Sequence, residues 1–493
     1  MSKSHADKVQ GIAAQIAARP TGTHITIRKS TPSHSIRDQG YKANSHSVDV
    51  STLKAILDID TRAKLATVEG QVTIAELCKA TLAEGLVPAV VPELRKFTIA
   101  GLINGEGIQS SSHRFGIFTN TLESVEVLQA DGSVVTMSAT SNPELFSVVP
   151  ESLGTLGLLT AASIRLAPAK AYVKSTYRRF QNRNDYLFAY KEALEKHDFH
   201  EGVIFGPRTF VLLTGDFVDD PAGNPIFEPW NPGGEYFYQH VRALTAGRSE
   251  ANEVIETLSY FSRSERGFWW TLENRADFPL LSETKWGRRH MDKTVEEHYN
   301  KNGLMSSGMS VMERDRCLIN QDMGVRLERM GEGIEWVQER LKVYPIWNCA
   351  IHLHDRDSKR LETTHLVDIG IYGEPKVRGY RNVRDMRALQ KMAAAPSLWG
   401  MSYLTWDEIV SKNPERFQQY ERARLKTHAD GAFLHMRDKV VWVDPDSPSL
   451  GKIRAWRLYD SFGRSWYLNP IAYIVWIIAI FSKWIWPRFP AVE

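Results

Sequence analysis

The segment 98–116, TIAGLINGEGIQSSSHRFG, constrains this chain more tightly than any other stretch. Four glycines (Gly101, Gly105, Gly107, Gly116) alternate with Ile99, Leu102, Ile103 and Ile108, and Ser110, Ser111 and Ser112 follow as a run. Glycine lets backbone approach a ligand closely and adopts positive φ at no steric cost. Hydroxyls and bare N–H groups can cradle an anion such as a pyrophosphate. The segment is neither of the usual nucleotide fingerprints. Gly105-Glu106-Gly107 runs on into Ile108-Gln109-Ser110, and no Gly-Lys-Ser/Thr closes the run. A phosphate-bearing cofactor outside the Rossmann pattern is implied, with a glycine-rich strand crossing as the plain alternative.

The residues that follow narrow the fold. LESVEVLQ (122–129) alternates like a strand, Ala130-Asp131-Gly132-Ser133 is a hairpin turn, and Val134-Val135-Thr136-Met137 returns. Then come Glu144-Leu145-Phe146, the turn Gly154-Thr155-Leu156-Gly157, and an apolar strand over 158–166 that ends at Pro168. This order resembles the second half of an FAD-binding domain of the vanillyl-alcohol-oxidase, or PCMH, type. Four motifs resemble a narrower group: VPELRKFTIAGLINGEGIQSSSHRFG (91–116), SLGTLGLLTAASIRLAPAKAYV (152–173), VYPIW (343–347) and VDIGIYGEP (367–375). They are similar to the Δ24-sterol reductases, the 24-dehydrocholesterol reductase family. The last two lie where related flavoenzymes diverge, so they carry the narrower resemblance.

The resemblance implies an α+β fold. An FAD-binding domain would occupy 23–172 and a mixed sheet-and-helix substrate domain 173–440. It implies non-covalent FAD held by Thr98, Ile99, Ala100, Gly101, Leu102, Ile103, Asn104, Gly105, Glu106, Gly107, Ile108, Gln109, Ser110, Ser111, Ser112 and His113, with Gly116 and the turn residues Gly154, Thr155 and Gly157. Arg28, Ser35 and Arg37 match the same pattern in the first cofactor loop. That loop, RKSTPSHS (28–35), offers two basic side chains and four hydroxyls but lacks the glycines usual there. His34 sits where some relatives tether FAD. The sterol reductases do not, and a solvated histidine is expected.

The remainder bounds the function. Lys and Arg total 61 against 58 Asp and Glu, a net charge of +3, which argues against a nucleic-acid partner. Three distant cysteines, Cys78, Cys317 and Cys349, suggest neither a metal site nor a disulfide framework. Residues 1–22 carry Val9, Ile12, Ala13 and Ile16 at helical spacing, an amphipathic helix expected to pack on the flavin domain rather than a signal peptide. A second helix is expected over 72–84, with Cys78 on its apolar face. Aromatic residues at 260–270 and three methionines at 305–312 suit either an apolar pocket or a core.

Reducing an isolated C=C bond takes a hydride and a proton. An unactivated alkene does not accept hydride first, so a protonated carboxyl or a tyrosine must stand close by. Tyr372 and Glu374 match the family motif and are the expected donors; Asp368, His352 and His354 are nearby. Trp399 and Trp406 are expected at the pocket mouth.

After a linker at 441–465, residues 466–486 (WYLNPIAYIVWIIAIFSKWIW) hold a single charge, Lys483. As a helix they reach roughly 30 Å, one hydrocarbon core, with tryptophans near both ends. A membrane anchor is expected, either spanning or interfacial. Basic residues before it favour a cytosolic enzyme, and the family's usual membrane is the endoplasmic reticulum. The expected activity is NADPH-dependent, FAD-containing reduction of a sterol side-chain double bond. The alternatives are an FAD-dependent oxidase or cyclase acting on another apolar metabolite, and a flavin-free binding protein.

Overall fold

The computed structural model describes residues 4–31, 40–271, 282–302, 319–373, 375–377, 380, 382–398 and 400–441. Helix α1 (His5–Ala17) opens on a capping box, in which the Ser4 hydroxyl accepts the Asp7 N–H and the Asp7 carboxylate accepts the Ser4 N–H. Its stripe of Val9, Ile12 and Ile16 is buried in the core of the first domain, as the spacing predicts.

His5 on α1 sits between two carboxylates, Glu69 at 2.8 Å and Glu126 at 2.9 Å, and Lys8 reaches Glu69 at 2.8 Å. Burial opposes the charged imidazole, but the bonds to Glu126 and Glu69 outweigh it and raise its pKa above 6.5. Burial likewise opposes the Glu69 charge, and Lys8 and His5 overcome it, so that pKa falls below 4.5. The histidine's contribution is complete below 6.5 and is lost as pH rises through its raised value; the Glu69 contribution is lost as pH falls through its lowered value. His5→Gln is therefore expected to cost about 1 kcal/mol at pH 6 and clearly less at pH 8. Denaturant melts at both pH values check this; an equal loss at both would show that His5 is not held as a cation.

Strands β1 (Ile25–Arg28) and β2 (His46–Asp49) form a small parallel pair. Six antiparallel strands make the second sheet. Its order is β3 (Ile56–Asp60), β4 (Leu65–Glu69), β8 (Leu158–Pro168), β6 (Leu122–Leu128) and β7 (Val134–Ser138), with β5 (Leu86–Pro88) also on β8. The Asp-Gly turn closes β6 to β7: Gly132 takes φ +85° and the Gln129 N–H bonds the Ser133 carbonyl at 2.8 Å. Helix α2 (Ile74–Leu82), capped by Thr73, buries Ile74, Leu77, Cys78 and Thr81. Cys78 is thus a core residue.

A nine-stranded sheet forms the second half. Its order is β12 (Glu250–Glu256), β9 (Tyr172–Phe180), β11 (Thr209–Val218), β10 (Phe199–Gly206), β15 (Ile346–His352), β16 (His365–Gly373), β14 (Met323–Arg326) and β17 (Ala395–Pro396), with β13 (Ile319–Gln321) also on β16. Strand β16 is buried along its whole length. Its alternation sorts two environments. Val367, Ile369 and Ile371 face an aliphatic core that includes Tyr186 and Tyr190 of the helix Arg183–Ala193 and Ile334 and Val337 of the helix Met330–Arg340. Asp368, Gly370 and Tyr372 face the other way, towards the first half of the chain.

The helices Trp406–Lys412, Pro414–Lys426 and Met436–Val440 return to the first half of the chain. Their Phe417, Tyr420 and Met436 join its core, and the Ile25 N–H bonds the Ala432 carbonyl at 2.7 Å. Among the described residues no helix is long and apolar enough to cross a membrane. The apolar segment 466–486 lies outside them, as do the linker after residue 441 and the methionines at 305–312.

Candidate active site

The segment 98–116 is helix, loop and helix rather than a plain loop. The Thr98 hydroxyl accepts the Gly101 N–H at 3.2 Å and caps α3 (Ile99–Asn104). The Ile99 and Ala100 N–H groups bond the carbonyls of Val72 (2.9 Å) and Gly70 (2.8 Å), which locks α3 to the end of β4. Gly70 permits this: a Cβ there would lie 2.7 Å from the Leu159 carbonyl oxygen and 3.1 Å from Ala100 Cβ. At the far end of α3 the carbonyls of Ile103 and Asn104 accept the N–H groups of Glu151 (2.7 Å) and Leu153 (2.8 Å). The two cofactor motifs are therefore joined main chain to main chain.

The second motif is strained. Glu151, Leu153 and Gly154 take φ of 60°, 58° and 65°. The left-handed conformation costs an L-residue about 1–2 kcal/mol, so Glu151 and Leu153 must be held there. The bonds to α3 do so from one side. From the other, Lys439 Nζ reaches the Leu153 carbonyl (2.8 Å), Arg416 the Pro150 carbonyl (2.8 Å), and Tyr420 Oη meets Thr155 Oγ1 (2.9 Å). Ser152 Oγ, 1% exposed, has no partner among the described residues, and neither does Glu93 Oε1. A buried polar atom left unpaired costs about 1–3 kcal/mol. A polar group arriving here would remove that cost, so these residues fit a phosphate- and hydroxyl-bearing cofactor.

The serines serve the frame. Ser111 Oγ donates to the Ala89 carbonyl (2.9 Å), and Ser112 Oγ accepts the Gln109 N–H (3.0 Å). Ser110 Oγ lies 3.4 Å from both Tyr260 Oη and Arg263. His113, at the start of α4 (Ser112–Phe115), lies between the carbonyls of Ser110 (2.8 Å) and His197 (3.0 Å); burial pushes its pKa down to about 4, so it is neutral.

The segment meets the polar face of the nine-stranded sheet. Cys349 Sγ donates to the Gln109 carbonyl at 3.2 Å, and Ser397 Oγ donates to Glu106 at 2.5 Å. Burial keeps Cys349 a thiol. Asp322, between β13 and β14, accepts the Tyr372 hydroxyl proton. It stands on the same sheet face as Asp368, close enough for its charge to act on that carboxyl. Burial first, then Asp322 and Glu106, drive the Asp368 pKa well above the carboxylate range. Burial raises Glu93 to about 8, and raises Glu106 to about 7 with help from Glu151. Protonated carboxyls thus line both sides of this contact at neutral pH. Beside them an aromatic wall carries Trp269, 4.5 Å from Trp347, and Trp270, 5.7 Å from Tyr372, between ring centroids. Trp269, Trp270, Phe237, Tyr238 and Glu201 line a small cavity of about 10 Å³.

Of the residues expected from sequence, α3 meets the 151–157 turn, and Gln109 and Gly116 meet the sheet that carries Tyr372. Arg28 stands apart, mostly exposed, paired with Asp49 at 2.8 Å. Ser35, Arg37, His34, Glu374 and Trp399 lie outside the described residues. Sequence reasoning passed over Asp322, Glu93, Glu201 and Arg263. Glu201 had a usable signal, the single carboxylate of strand β10 (FHEGVIFG), set before the apolar run 203–205; Asp322 had none.

Residues 4–138 match the family model described as FAD binding domain. The chain is 31% identical to the Delta(24)-sterol reductase of Arabidopsis thaliana, covering 88% of this chain and 84% of that one. Against the Mus musculus protein of the same name the identity is 30%, covering 82% and 80%. The chain belongs to the Delta(24)-sterol reductase family. The Homo sapiens member is 29% identical over 82% of this chain and 80% of its own. Within this family the similarity thus extends far beyond the FAD-binding domain, across the sheet that carries Asp368 and Tyr372.

Proposed function

We propose that this protein reduces the isolated C=C bond of a sterol side chain, with FAD bound non-covalently and NADPH as the electron source. One observation carries the reading: the segment of an FAD-binding domain that holds the cofactor in related folds packs directly on a sheet face bearing protonated carboxyls. FAD would be held by residues 98–113 and 151–157. When bound, it supplies hydride to one alkene carbon. The chain's own task is the proton. Water would keep a carboxyl ionised at neutral pH; burial between the domain and the sheet keeps it protonated, which is what a general acid requires. Tyr372 is committed to Asp322 and orients it. Glu374, next in the motif, is a second candidate. The aromatic wall at Trp269 and Trp270 suits an apolar substrate.

Family membership supports the sterol as substrate. The apolar segment 466–486 would hold the enzyme at a membrane, where such substrates dissolve; the basic residues before it fit an enzyme on the cytosolic side, and the family resemblance implies the endoplasmic reticulum. Anaerobic titration of the detergent-purified protein with NADPH is expected to bleach the visible flavin band stoichiometrically, and a sterol with an unsaturated side chain to restore it. A flavin that NADPH leaves oxidised would instead favour an oxidase or cyclase.

A further inference from the structure

Resting on that reading, we infer that Asp368 is the general acid of the reduction and that Asp322 and Tyr372 position its proton. The three side chains share one sheet face. Gln321 pairs with Ile371 and Gly324 with Asp368, so Asp322 falls opposite Gly370. Gly370 leaves a hole there. A Cβ at this position would lie 2.8 Å from Tyr372 Oη, 3.1 Å from Asp322 Oδ1 and 3.1 Å from Trp347 Cβ. The Tyr372 hydroxyl occupies that hole and donates to Asp322.

Two buried carboxyls at neighbouring positions of one sheet face disfavour double ionisation, so the pair holds one proton. The Tyr372 hydroxyl stabilises charge on Asp322 and so places the proton on Asp368. Asp368 is 2% exposed, and its Oδ2 meets no donor among the described residues. The groups that face it are Asp322, Glu106 from the glycine–serine segment, the Cys349 thiol of β15 and Tyr372; the Met323 backbone N–H opposes them weakly. Two further polar atoms without a partner among the described residues border the cluster: Trp270 Nε1, whose ring stands beside Tyr372, and Glu93 Oε1 from the first half of the chain.

The step balances as follows. The Asp368 O–H bond breaks, and its proton forms one C–H bond with the alkene π electrons. Hydride from the reduced flavin forms the second C–H bond, so the alkene is reduced by two electrons at the flavin's expense. The pair is left with two negative charges and recovers one proton from solvent.

The test follows the two half-reactions separately on the full-length, flavin-loaded protein: bleaching by NADPH, then re-oxidation by a sterol with an isolated side-chain double bond. Asp368→Asn is expected to leave bleaching within about twofold and to slow re-oxidation by about 10²–10⁴-fold. Tyr372→Phe covers the case in which that variant fails to fold. Without the tyrosine hydroxyl, Asp322 competes for the shared proton, so re-oxidation slows by about tenfold and the alkaline limb of its pH profile moves up. A merely structural tyrosine would leave that limb in place. Re-oxidation of Asp368→Asn at the wild-type rate, or an unmoved limb in Tyr372→Phe, overturns the assignment while leaving the sterol reading intact. A wild-type flavin that NADPH reduces and no such sterol re-oxidises overturns both.

Discussion

Replacing Arg263 by methionine is expected to destabilise the folded protein by about 3–5 kcal/mol. The Arg263 and Glu201 side chains are 1% and 3% exposed and 2.5 Å apart. The second Glu201 oxygen accepts the Trp347 indole N–H at 2.9 Å, and Arg263 also bonds the Tyr260 carbonyl at 2.7 Å and lies 3.9 Å from the Tyr260 ring centroid. Forming such a pair gains little, because both ions leave water. Breaking it is costly, because a carboxylate is stranded in a site built to exclude water. The double variant Arg263→Met/Glu201→Gln removes the stranded charge and is expected to recover most of the loss. Denaturant melts of the flavin-loaded variants decide the matter. A single variant within about 1 kcal/mol of wild type would mean that water reaches Glu201. Because Arg263 also favours the ionised form of Glu93, its loss is further expected to leave Glu93 more firmly protonated.

The elements that sequence made legible are those with an unbroken period. The stripe of α1, the Asp-Gly hairpin and the apolar face of α2 each state their own geometry. A boundary falls where one residue forbids continuation: β15 begins at Ile346, after Pro345, which has no N–H to give a ladder. The segment 98–116 reads as loop by glycine content, yet the Thr98 cap and the bonds to Gly70 and Val72 wind part of it into helix. No local pattern announces those partners. Asp322 is the sharper case. Its value comes from standing opposite Gly370 on another strand, and a register between strands far apart in sequence is written in neither of them. The same holds for the helices of 406–440, whose Lys439, Arg416 and Tyr420 hold the strained turn at 150–155 from the far end of the chain.

Gly116→Ala is expected to cost about 3 kcal/mol or more and to lower the flavin-to-protein ratio of the purified enzyme. Gly116 takes φ 77° and ψ −152°, a region that glycine alone occupies readily. A Cβ there would overlap Asn120 Oδ1, which accepts the Ile117 N–H at 2.9 Å, and would stand 3.1 Å from the carbonyl oxygen of His352 at the end of β15. Strain and overlap therefore act together, at the point where the cofactor segment touches the sheet. Gly132→Ala separates the two effects. Gly132 also has positive φ, at +85°, but a Cβ there meets nothing within 4 Å. It should cost about 1 kcal/mol and leave flavin content unchanged. The difference between the two variants then measures the contact together with the extra strain of ψ −152° at Gly116. That contact matters because the segment before Gly116 is tied to the same sheet by Cys349 to Gln109 at 3.2 Å and by His365 to the His113 carbonyl at 3.0 Å. Pushing Gly116 away from His352 loads both bonds, and with them the cofactor segment and its distance from Asp368. If Gly116→Ala melts with Gly132→Ala and keeps its flavin, the contact of Gly116 with His352 is not what joins this segment to the sheet.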